Sequence, residues 1–372
     1  MGLRGTAVLL VVAALGTSAC AGDGSSDTEQ TADATPPPEE QRSVPPQAEA
    51  TITPEPGPVT IAFAGDIHFE GELRPLLDDP ATALSPIAAQ LSAADLTIVN
   101  LESSIGPGGE PEPKRFTFQA PPTSLAALAA AGVDVASLAN NHAADFGLGG
   151  LESSLAAAQD ARHADPPLEV VGIGEDADRA FTPATFEING TTVAVFAASA
   201  ADDDPTADPT GHWAATPDRA GTADALDPAA LAGAISGAVA DVVVVYLHWG
   251  VQGRSCPSPE QEELAGTLAR AGADVIVGSH AHRLQGAGRL DDTYVAYGLG
   301  NFVWYTQASE PTTTTGVLTL TVAPDGRVTD DRWAPARIGD DGIPEFATGD
   351  LADEMRASFA ELRDCTNLVG LG

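Results

Sequence analysis

Basic residues are scarce in this chain. Its 372 residues include 17 lysines and arginines against 53 aspartates and glutamates, and the formal net charge is −36. Such an acidic surface repels nucleic acid and anionic lipid, which excludes nucleic acid as a partner. An anionic polymer could bind only where a few basic side chains or metal ions create a local positive patch.

Long apolar runs are also missing. The run from Ala7 to Leu15 is too short to cross a bilayer, and no later stretch is long and apolar enough to do so. This run follows Arg4 and leads to small residues ending at Cys20, a pattern typical of a secretory signal and similar to a bacterial lipobox. We expect residues 1–20 to be a lipoprotein-type signal peptide, with a lipidated Cys20 that anchors the protein extracytoplasmically to the cell membrane. Plain secretion is the alternative.

Cysteine occurs only three times. With Cys20 assigned to the signal, Cys256 and Cys365 remain, and in an oxidising compartment two such residues suggest a disulfide. The alternative is a pair of free thiols, because sequence alone shows no pairing geometry.

Residues 21–58 contain almost no large apolar side chain and are rich in Asp, Glu, Thr, Ser and Pro. We interpret them as a disordered acidic tether. A folded domain is expected over 59–348, followed by a C-terminal helix and tail over 349–372. Strand-like and helix-like segments alternate in the domain, with hairpin turns at Asn189-Gly190 and Asp325-Gly326. This pattern predicts an α/β fold with helices outside one sheet or a pair of sheets.

Potential metal ligands follow several β-like runs. Five of the seven histidines lie in these short segments, and the most specific segment is Gly278-Ser279-His280-Ala281-His282. Imidazole, carboxylate and amide donors suit Zn, Mn or Fe. Because α/β proteins place their sites after successive strands, we predict a site for two divalent ions and metal-assisted hydrolysis. The predicted ligands are Asp66, His68, Glu102, Asn141, His248, His280 and His282.

A polar cluster beside Asn141 suggests an acid catalyst. His142 could protonate a leaving oxygen if Asp145 orients its ring. The alternative is a turn and helix cap before the helix that begins near Leu148.

Three further residues are candidates for substrate binding. Lys114 and Arg115 could meet an anionic substrate through charge-assisted hydrogen bonds, or could be a solvated pair on a loop. Asn301 lies in a glycine turn and could shape the wall of the substrate site, or the turn could be merely structural.

These segments resemble the CapA family, which is linked to poly-γ-glutamate capsule synthesis and belongs to the calcineurin-like metallophosphoesterase superfamily. The resemblance runs from about Val59 to Phe302. It is carried by Gly65-Asp66, Asn100-Leu101-Glu102, Ala139-Asn140-Asn141-His142 with Asp145 and Gly147, His248-Trp249-Gly250, Gly278 to His282, and Leu299-Gly300-Asn301-Phe302.

The resemblance implies a two-sheet β-sandwich flanked by helices, the αββα fold of the calcineurin-like metallophosphoesterases. It also implies a division of roles among the site residues. Glu102 would bridge two metal ions and His142 would be the general acid. One ion would be held by Asp66, His68 and His282, and the other by Asn141, His248 and His280.

The function implied is an extracytoplasmic metal-dependent hydrolase of capsule or envelope polymer synthesis. Its partners would be an anionic polymer or phosphoester substrate, the membrane through the lipid anchor, and a membrane synthase. Two alternatives stay open. One is a general cell-surface phosphoesterase, and the other is a non-catalytic accessory protein that binds polymer for a membrane synthase.

Overall fold

Two β-sheets with helices outside them dominate the computed structural model, which describes residues 55–201, 210–305 and 309–371. The described residues belong to one compact unit. The predicted signal peptide, Cys20 and residues 21–54 of the predicted tether lie outside the described residues. Within the described ranges, no helix combines the length and apolarity needed to cross a membrane.

The strands, in chain order, are β1 (Val59–Ile67), β2 (Leu96–Leu101), β3 (Ser104–Ile105), β4 (Gln119–Ala120), β5 (Val135–Ser137), β6 (Glu169–Val171), β7 (Ile173–Gly174), β8 (Ala184–Ile188), β9 (Thr191–Ala200), β10 (Gly221–Thr222), β11 (Val242–Trp249), β12 (Val275–His280), β13 (Ala287–Leu290), β14 (Thr293–Ala296), β15 (Asn301–Val303), β16 (Thr314–Val322), β17 (Val328–Ile338) and β18 (Pro344–Phe346).

The α-helices are α1 (Ser85–Leu91), α2 (Thr123–Ala130), α3 (Gly147–Arg162), α4 (Ala177–Ala180), α5 (Thr210–Trp213), α6 (Ala229–Ser236), α7 (Pro259–Ala271), α8 (Glu310–Thr313) and α9 (Gly349–Glu361). Two 3₁₀ segments cover Gly71–Asp78 and Leu362–Cys365.

The first sheet has eight strands and the second has six. In the first sheet β1, β2, β5, β6 and the short β15 are parallel, whereas β16, β17 and β18 extend it with antiparallel pairings. In the second sheet β9, β11, β12 and β14 are parallel, and β8 and β13 close its edges in antiparallel fashion. Each sheet therefore has one edge where the carboxyl ends of several parallel strands meet.

Alternate side chains of the central strands enter different apolar layers. In β1, Phe63 lies in the cluster between the sheets, whereas Ala62 faces the layer that includes α1, α2 and α3. In β11, Val244 lies between the sheets and Val243 faces α6 and α7. The result is a helix–sheet–sheet–helix sandwich, which confirms the predicted αββα fold class.

Aspartates fix the register at the amino-terminal ends of the parallel strands. The Thr60 amide donates to the Asp95 carboxylate at 2.8 Å, and the Asp95 amide donates back to the Thr60 carbonyl at 3.0 Å. Such pairing satisfies edge groups that would otherwise lack partners, and so holds the strands in line. The same two-way pairing joins Asp134 to Thr97, Asp241 to Thr192 and Asp274 to Val243.

Both predicted hairpins form. β8 and β9 turn at Asn189-Gly190, where both residues have positive φ, and β16 and β17 turn across Asp325-Gly326. The predicted terminal helix corresponds to α9. Beyond α9, a disulfide joins Cys365 to Cys256 with 5.7 Å between the Cα atoms. It ties the tail to the loop that follows β11.

Candidate metal centre

The polar segments of both sheets meet at the carboxyl ends of their parallel strands. Asp66 lies near the end of β1, and Glu102 directly follows β2. In the second sheet His248 lies near the end of β11 and His280 ends β12. All four side chains are fully buried. The sandwich therefore assembles the site from residues that are far apart in the chain, at the position where parallel sheets commonly bind ligands.

Gly65 allows the turn before β15 to approach Asp66. A Cβ atom on Gly65 would lie 1.9 Å from the carbonyl oxygen of Gly300, which is too close for any residue with a side chain to be accommodated. With glycine there, the Asp66 amide donates to that carbonyl at 2.9 Å, and Asp66 pairs with Asn301 across the strands. The glycine thus brings Asn301 into the site.

Two groups of carboxylate and imidazole side chains could each hold a metal ion. One consists of Glu102, His248 and His280, and the other of Asp66, Glu102 and His282. Within each group, one potential ligand atom from every residue lies within 4.8 Å of the others. Because Glu102 belongs to both groups, its carboxylate could give one oxygen to each of two ions. This donor set fits Zn²⁺, Mn²⁺ and Fe²⁺.

Asn141 adds an amide oxygen to the first group. Its Oδ1 lies 2.7 Å from Nε2 of His248, which also lies 3.0 Å from Nδ1 of His280 and 3.7 Å from Oε1 of Glu102. Four potential ligand atoms therefore converge on a small buried space. Both oxygen and nitrogen donors are present, a mixture that suits a divalent transition metal.

The loop that carries the paired histidines has an uncommon backbone. His280 and His282 have φ values of 91° and 52°, in the left-handed region that favours glycine. The His280 amide donates to Oδ2 of Asp66 at 3.1 Å, and the Ala281 carbonyl accepts from the Gly253 amide at 2.8 Å. Such strain persists only where neighbouring contacts fix it, and it is concentrated at functional sites.

Electrostatics within the site favour different charge states for neighbouring imidazoles. Burial opposes charge on His282, but the nearby Glu102 and Asp66 carboxylates raise the pKa of His282 to about 9. Burial likewise opposes charge on Asp66, yet its hydrogen bond with His282 leaves the Asp66 pKa below its usual value. Burial and the neighbouring His280 hold the pKa of His248 well below 6.5. Without metal, the partly buried His282 and the fully buried Asp66 therefore form an ion pair at 3.3 Å beside a neutral His248.

His142 lies beside Glu102, and its neighbours determine both the orientation and the charge state of its ring. Its Nδ1 lies 2.5 Å from Oδ2 of Asp145, its Nε2 lies 3.5 Å from Oε1 of Glu102, and its ring stacks on Phe118 at 4.1 Å. Burial lowers the pKa of His142 to about 4, with Asp145 opposing and Lys114 reinforcing the shift. An anionic substrate beside the ring would favour its protonated form.

Buried asparagines behind the ligands form a network, although sequence reasoning assigned these residues no role beyond the family resemblance. Nδ2 of Asn100 donates to Oδ1 of Asp66 at 2.8 Å and lies 3.2 Å from Nδ1 of His248. Nδ2 of Asn140 donates to Oδ1 of Asn100 at 3.0 Å, and Oδ1 of Asn140 accepts from the His142 amide at 3.1 Å. Asn100 precedes Glu102 by two positions and Asn140 directly precedes Asn141, and this closeness in sequence was the signal that they orient ligands.

The part of the chain that carries this site matches a known protein family. Residues 60–306 match the family described as bacterial capsule synthesis protein PGA_cap. This chain belongs to that family. The matched range contains every residue of both ligand groups, as well as His142 and Asp145.

Curated relatives of this capsule synthesis family member include two Bacillus proteins. The chain is 29% identical over 258 residues to the capsule biosynthesis protein CapA of Bacillus anthracis, covering 66% of this chain and 60% of that protein. It is 33% identical over 195 residues to the PGA biosynthesis protein CapA of Bacillus subtilis, covering 51% and 48%. A Mycobacterium tuberculosis relative, a probable polyglutamine synthesis accessory protein, is 28% identical over 57% of this chain and 56% of its own. The chain thus spans about half to three fifths of these relatives.

Solved structures with a similar fold include two enzymes. A phosphatase from Mycoplasma pneumoniae has 14% identity and a TM-score of 0.47 over 75% of this chain and 94% of its own. A 5'-nucleotidase precursor from Thermus thermophilus has 14% identity and a TM-score of 0.47 over 82% and 58%.

His68 belongs to neither of the two ligand groups, so its predicted role as a metal ligand stays a prediction. Its Nδ1 accepts a hydrogen bond from the Glu70 amide at 3.0 Å. Its ring packs against Phe118, Trp304 and Tyr305 with centroid distances of 4.9, 4.1 and 4.9 Å. Within the described part of the chain, His68 thus packs in an aromatic wall through its ring, while its buried Nε2 has no hydrogen-bond partner.

The three predicted substrate-binding residues separate. The Lys114 ammonium is buried and hydrogen-bonds to Asp145, so Lys114 is not the solvated loop residue of the alternative interpretation. Arg115 is exposed, with its guanidinium 4.9 Å from the Phe116 ring centre. Oδ1 of Asn301 accepts from Nδ1 of His282 at 2.8 Å, which orients that imidazole.

Metal binding by the group of Asp66, Glu102 and His282 is expected to strengthen as the pH rises. A histidine must lose its proton to bind metal, and in the metal-free protein the pKa of His282 is about 9. Between about pH 6 and pH 9 the affinity should rise roughly tenfold per pH unit, with one proton released per ion. Calorimetric titration with Mn²⁺ in buffers of different protonation enthalpy measures both quantities.

His248 provides the matched control for this pH dependence. Its pKa lies well below 6.5, so it is already deprotonated at neutral pH. His282→Ala should abolish the pH-dependent binding step together with the ion of this group, whereas His248→Ala should preserve that step. A binding step with the same pH slope in His282→Ala would contradict the assignment. In metal-free protein, the raised pKa of His282 stabilises the fold below pH 6.5, and this contribution is lost as the pH rises through about 9.

Proposed function

We propose that this protein is a metal-dependent hydrolase that acts outside the cytoplasm in the synthesis of poly-γ-glutamate or another anionic envelope polymer. The observation that carries the proposal is the position of Glu102, which is shared by two ligand groups and lies 3.5 Å from His142. Membership of the capsule synthesis family and the names of the two Bacillus relatives support this choice of polymer.

The residues at the site fit hydrolysis of a phosphoester or an acyl bond. Divalent ions bound at the two groups would supply a water of lowered pKa and would neutralise developing negative charge. Asp145 holds the His142 ring through Nδ1, so that Nε2 faces the site and can pass a proton to the leaving oxygen. Asn100 and Asn301 hold Asp66 and His282 in place, which preserves the ligand geometry.

Extracytoplasmic location is part of the proposal. The Cys256–Cys365 disulfide supports it, because structural disulfides persist mainly in oxidising compartments. A lipid on Cys20 would then hold the domain at the membrane surface, near a membrane synthase. Radiolabelled palmitate incorporation into the wild type, and its loss in Cys20→Ser, would test the anchor.

The central test combines metal analysis with turnover. Residues 21–372 would be purified, their metal content measured, and phosphate release from model phosphoesters and shortening of poly-γ-glutamate followed with and without Mn²⁺ or Zn²⁺. We expect bound metal, and hydrolysis of at least one substrate that chelation abolishes and metal restores.

An accessory role without catalysis is the second candidate. It is favoured by the Mycobacterium tuberculosis relative, whose name describes a probable accessory protein of polyglutamine synthesis. Full metal occupancy with no turnover of either substrate class, together with measurable binding of poly-γ-glutamate, would support that role and contradict the hydrolase.

A further inference from the structure

Lys114 is the only lysine in the sequence; the other basic residues are arginines. Its side chain is only 3% exposed, although the chain as a whole is strongly acidic. Lysines are rarely buried unless their charge is paired. The single lysine therefore occupies a place that an exposed, solubilising residue would not take.

Two groups of one turn accept hydrogen bonds from the Lys114 ammonium. Nζ lies 2.6 Å from Oδ1 of Asp145 and 2.5 Å from the carbonyl oxygen of Asn141. The turn from Asn141 to Asp145 thus has one of its backbone carbonyls and its carboxylate fixed by the same cation. A compact ammonium can serve two oxygens at such close range, whereas the planar fork of arginine needs more space.

Two backbone amides of the segment around Lys114 also donate to Asp145. Oδ2 of Asp145 accepts from the Phe118 amide at 2.6 Å and lies 2.5 Å from Nδ1 of His142. The Glu112 amide donates to the Asp145 carbonyl at 2.7 Å. One oxygen of the buried carboxylate therefore bonds to lysine and the other bonds to the histidine that faces Glu102.

We propose that Lys114 is a positioning residue, which fixes the Asp145 carboxylate and the Asn141 backbone so that His142 keeps one orientation toward the metal centre. This inference rests on the proposed hydrolase function. It replaces substrate binding as the role of Lys114, because the side chain is only 3% exposed and directs two of its three N–H groups to oxygens of the protein. Loss of the lysine would leave a buried carboxylate without its cation and release the ring.

Steady-state kinetics of Lys114→Met separate positioning from substrate binding. We expect kcat on a phosphoester to fall about 10- to 100-fold with KM unchanged, as for other partners that orient functional groups. Arg162→Met is the matched control, because it removes an exposed cation that pairs with Glu169 away from the site. It should change neither constant. A raised KM with unchanged kcat in the lysine variant would overturn the proposal.

A double-mutant cycle with Asp145→Asn guards against misfolding of the single variant. The amide keeps the shape of the carboxylate but removes the charge that Lys114 neutralises. If the lysine acts through Asp145, Lys114→Met should cost far less in kcat in this background than in wild type. An equal loss in both backgrounds would show independent action and contradict the proposal.

Nuclear magnetic resonance provides a readout that needs no turnover. Protein labelled with ¹³C-lysine and carrying no added lysine gives one side-chain ε signal, from Lys114. This signal should move in Asp145→Asn and stay in place when inorganic phosphate is added to metal-free protein. A signal that moves with phosphate and ignores Asp145→Asn would assign Lys114 to anion binding. If the protein showed no turnover, only the proposed hydrolase function would be contradicted. The resonance measurement would still decide whether Lys114 contacts Asp145 or binds an anion.

Discussion

Replacing Glu102 with glutamine is expected to weaken metal binding at both ligand groups at once. Glu102 is fully buried and belongs to each group, and its two oxygens share one negative charge. An amide has a single acceptor oxygen and no charge. Mutation of a residue that only orients a metal ligand typically lowers metal affinity about 10- to 100-fold. We therefore expect the removal of this shared ligand to lower the affinity of each group by more than about 100-fold.

The stoichiometry of bound metal tests this expectation. Elemental analysis and Mn²⁺ titration should show both ions lost in Glu102→Gln, but only one lost in His282→Ala, because His282 belongs to one group. Glu152→Gln, an exposed change on α3, should retain both. A Glu102→Gln protein that keeps one ion at full affinity would contradict the shared position.

The same variant should also lower the pKa of His282 in the metal-free protein. After burial, which opposes protonation, the charge of Glu102 is the largest influence on this imidazole, and it raises the pKa to about 9. Removing a nearby negative charge makes the protonated ring less stable. Histidine ring signals followed over a pH titration would report the shift.

Changing His142 to alanine is expected to lower kcat by about 100- to 10,000-fold while metal content stays at the wild-type level. His142 belongs to neither ligand group, yet its Nε2 lies 3.5 Å from Glu102 and its Nδ1 bonds to Asp145. Its removal should therefore take away proton transfer and leave the ligands in place. Parallel measurement of kcat and of bound metal distinguishes catalysis from scaffolding.

The leaving group offers a stricter test of the acid role. An alkyl phosphoester needs a proton on its departing oxygen, whereas a nitrophenyl ester departs readily without one. The loss in His142→Ala should therefore be large for the alkyl ester and small for the nitrophenyl ester. His163→Ala, the same change at an exposed histidine, should alter neither rate. Equal losses for both esters would rule out proton donation.

Some of the fold was predictable because its signals are local. The hairpin at Asn189-Gly190 formed as expected, since a two-residue turn with positive φ favours those residue types. The signals that bound α7 are also local, because a capping box at Ser258 begins the helix and a left-handed Gly272 ends it. The short β13 and β14 were not predicted, because four residues give too little alternation to distinguish a strand.

Sequence by itself determined the chemistry that this protein brings to its site. The residue types at Asp66, Glu102, His248 and the His280–His282 loop, each next to an apolar run, indicated carboxylate and imidazole donors at strand ends. Donor chemistry belongs to the side chain, and strand position follows from local alternation, so neither depends on distant contacts.

Only the tertiary structure decided which donors meet. The His280 amide reaches Asp66 across 214 residues of chain, and Glu102 came to be shared by both groups through pairing of sheets that no local pattern specifies. Packing likewise placed the His68 ring against aromatic side chains and buried the ammonium of Lys114 against Asp145. The direction of a side chain and the depth of its burial depend on what the rest of the fold places around it.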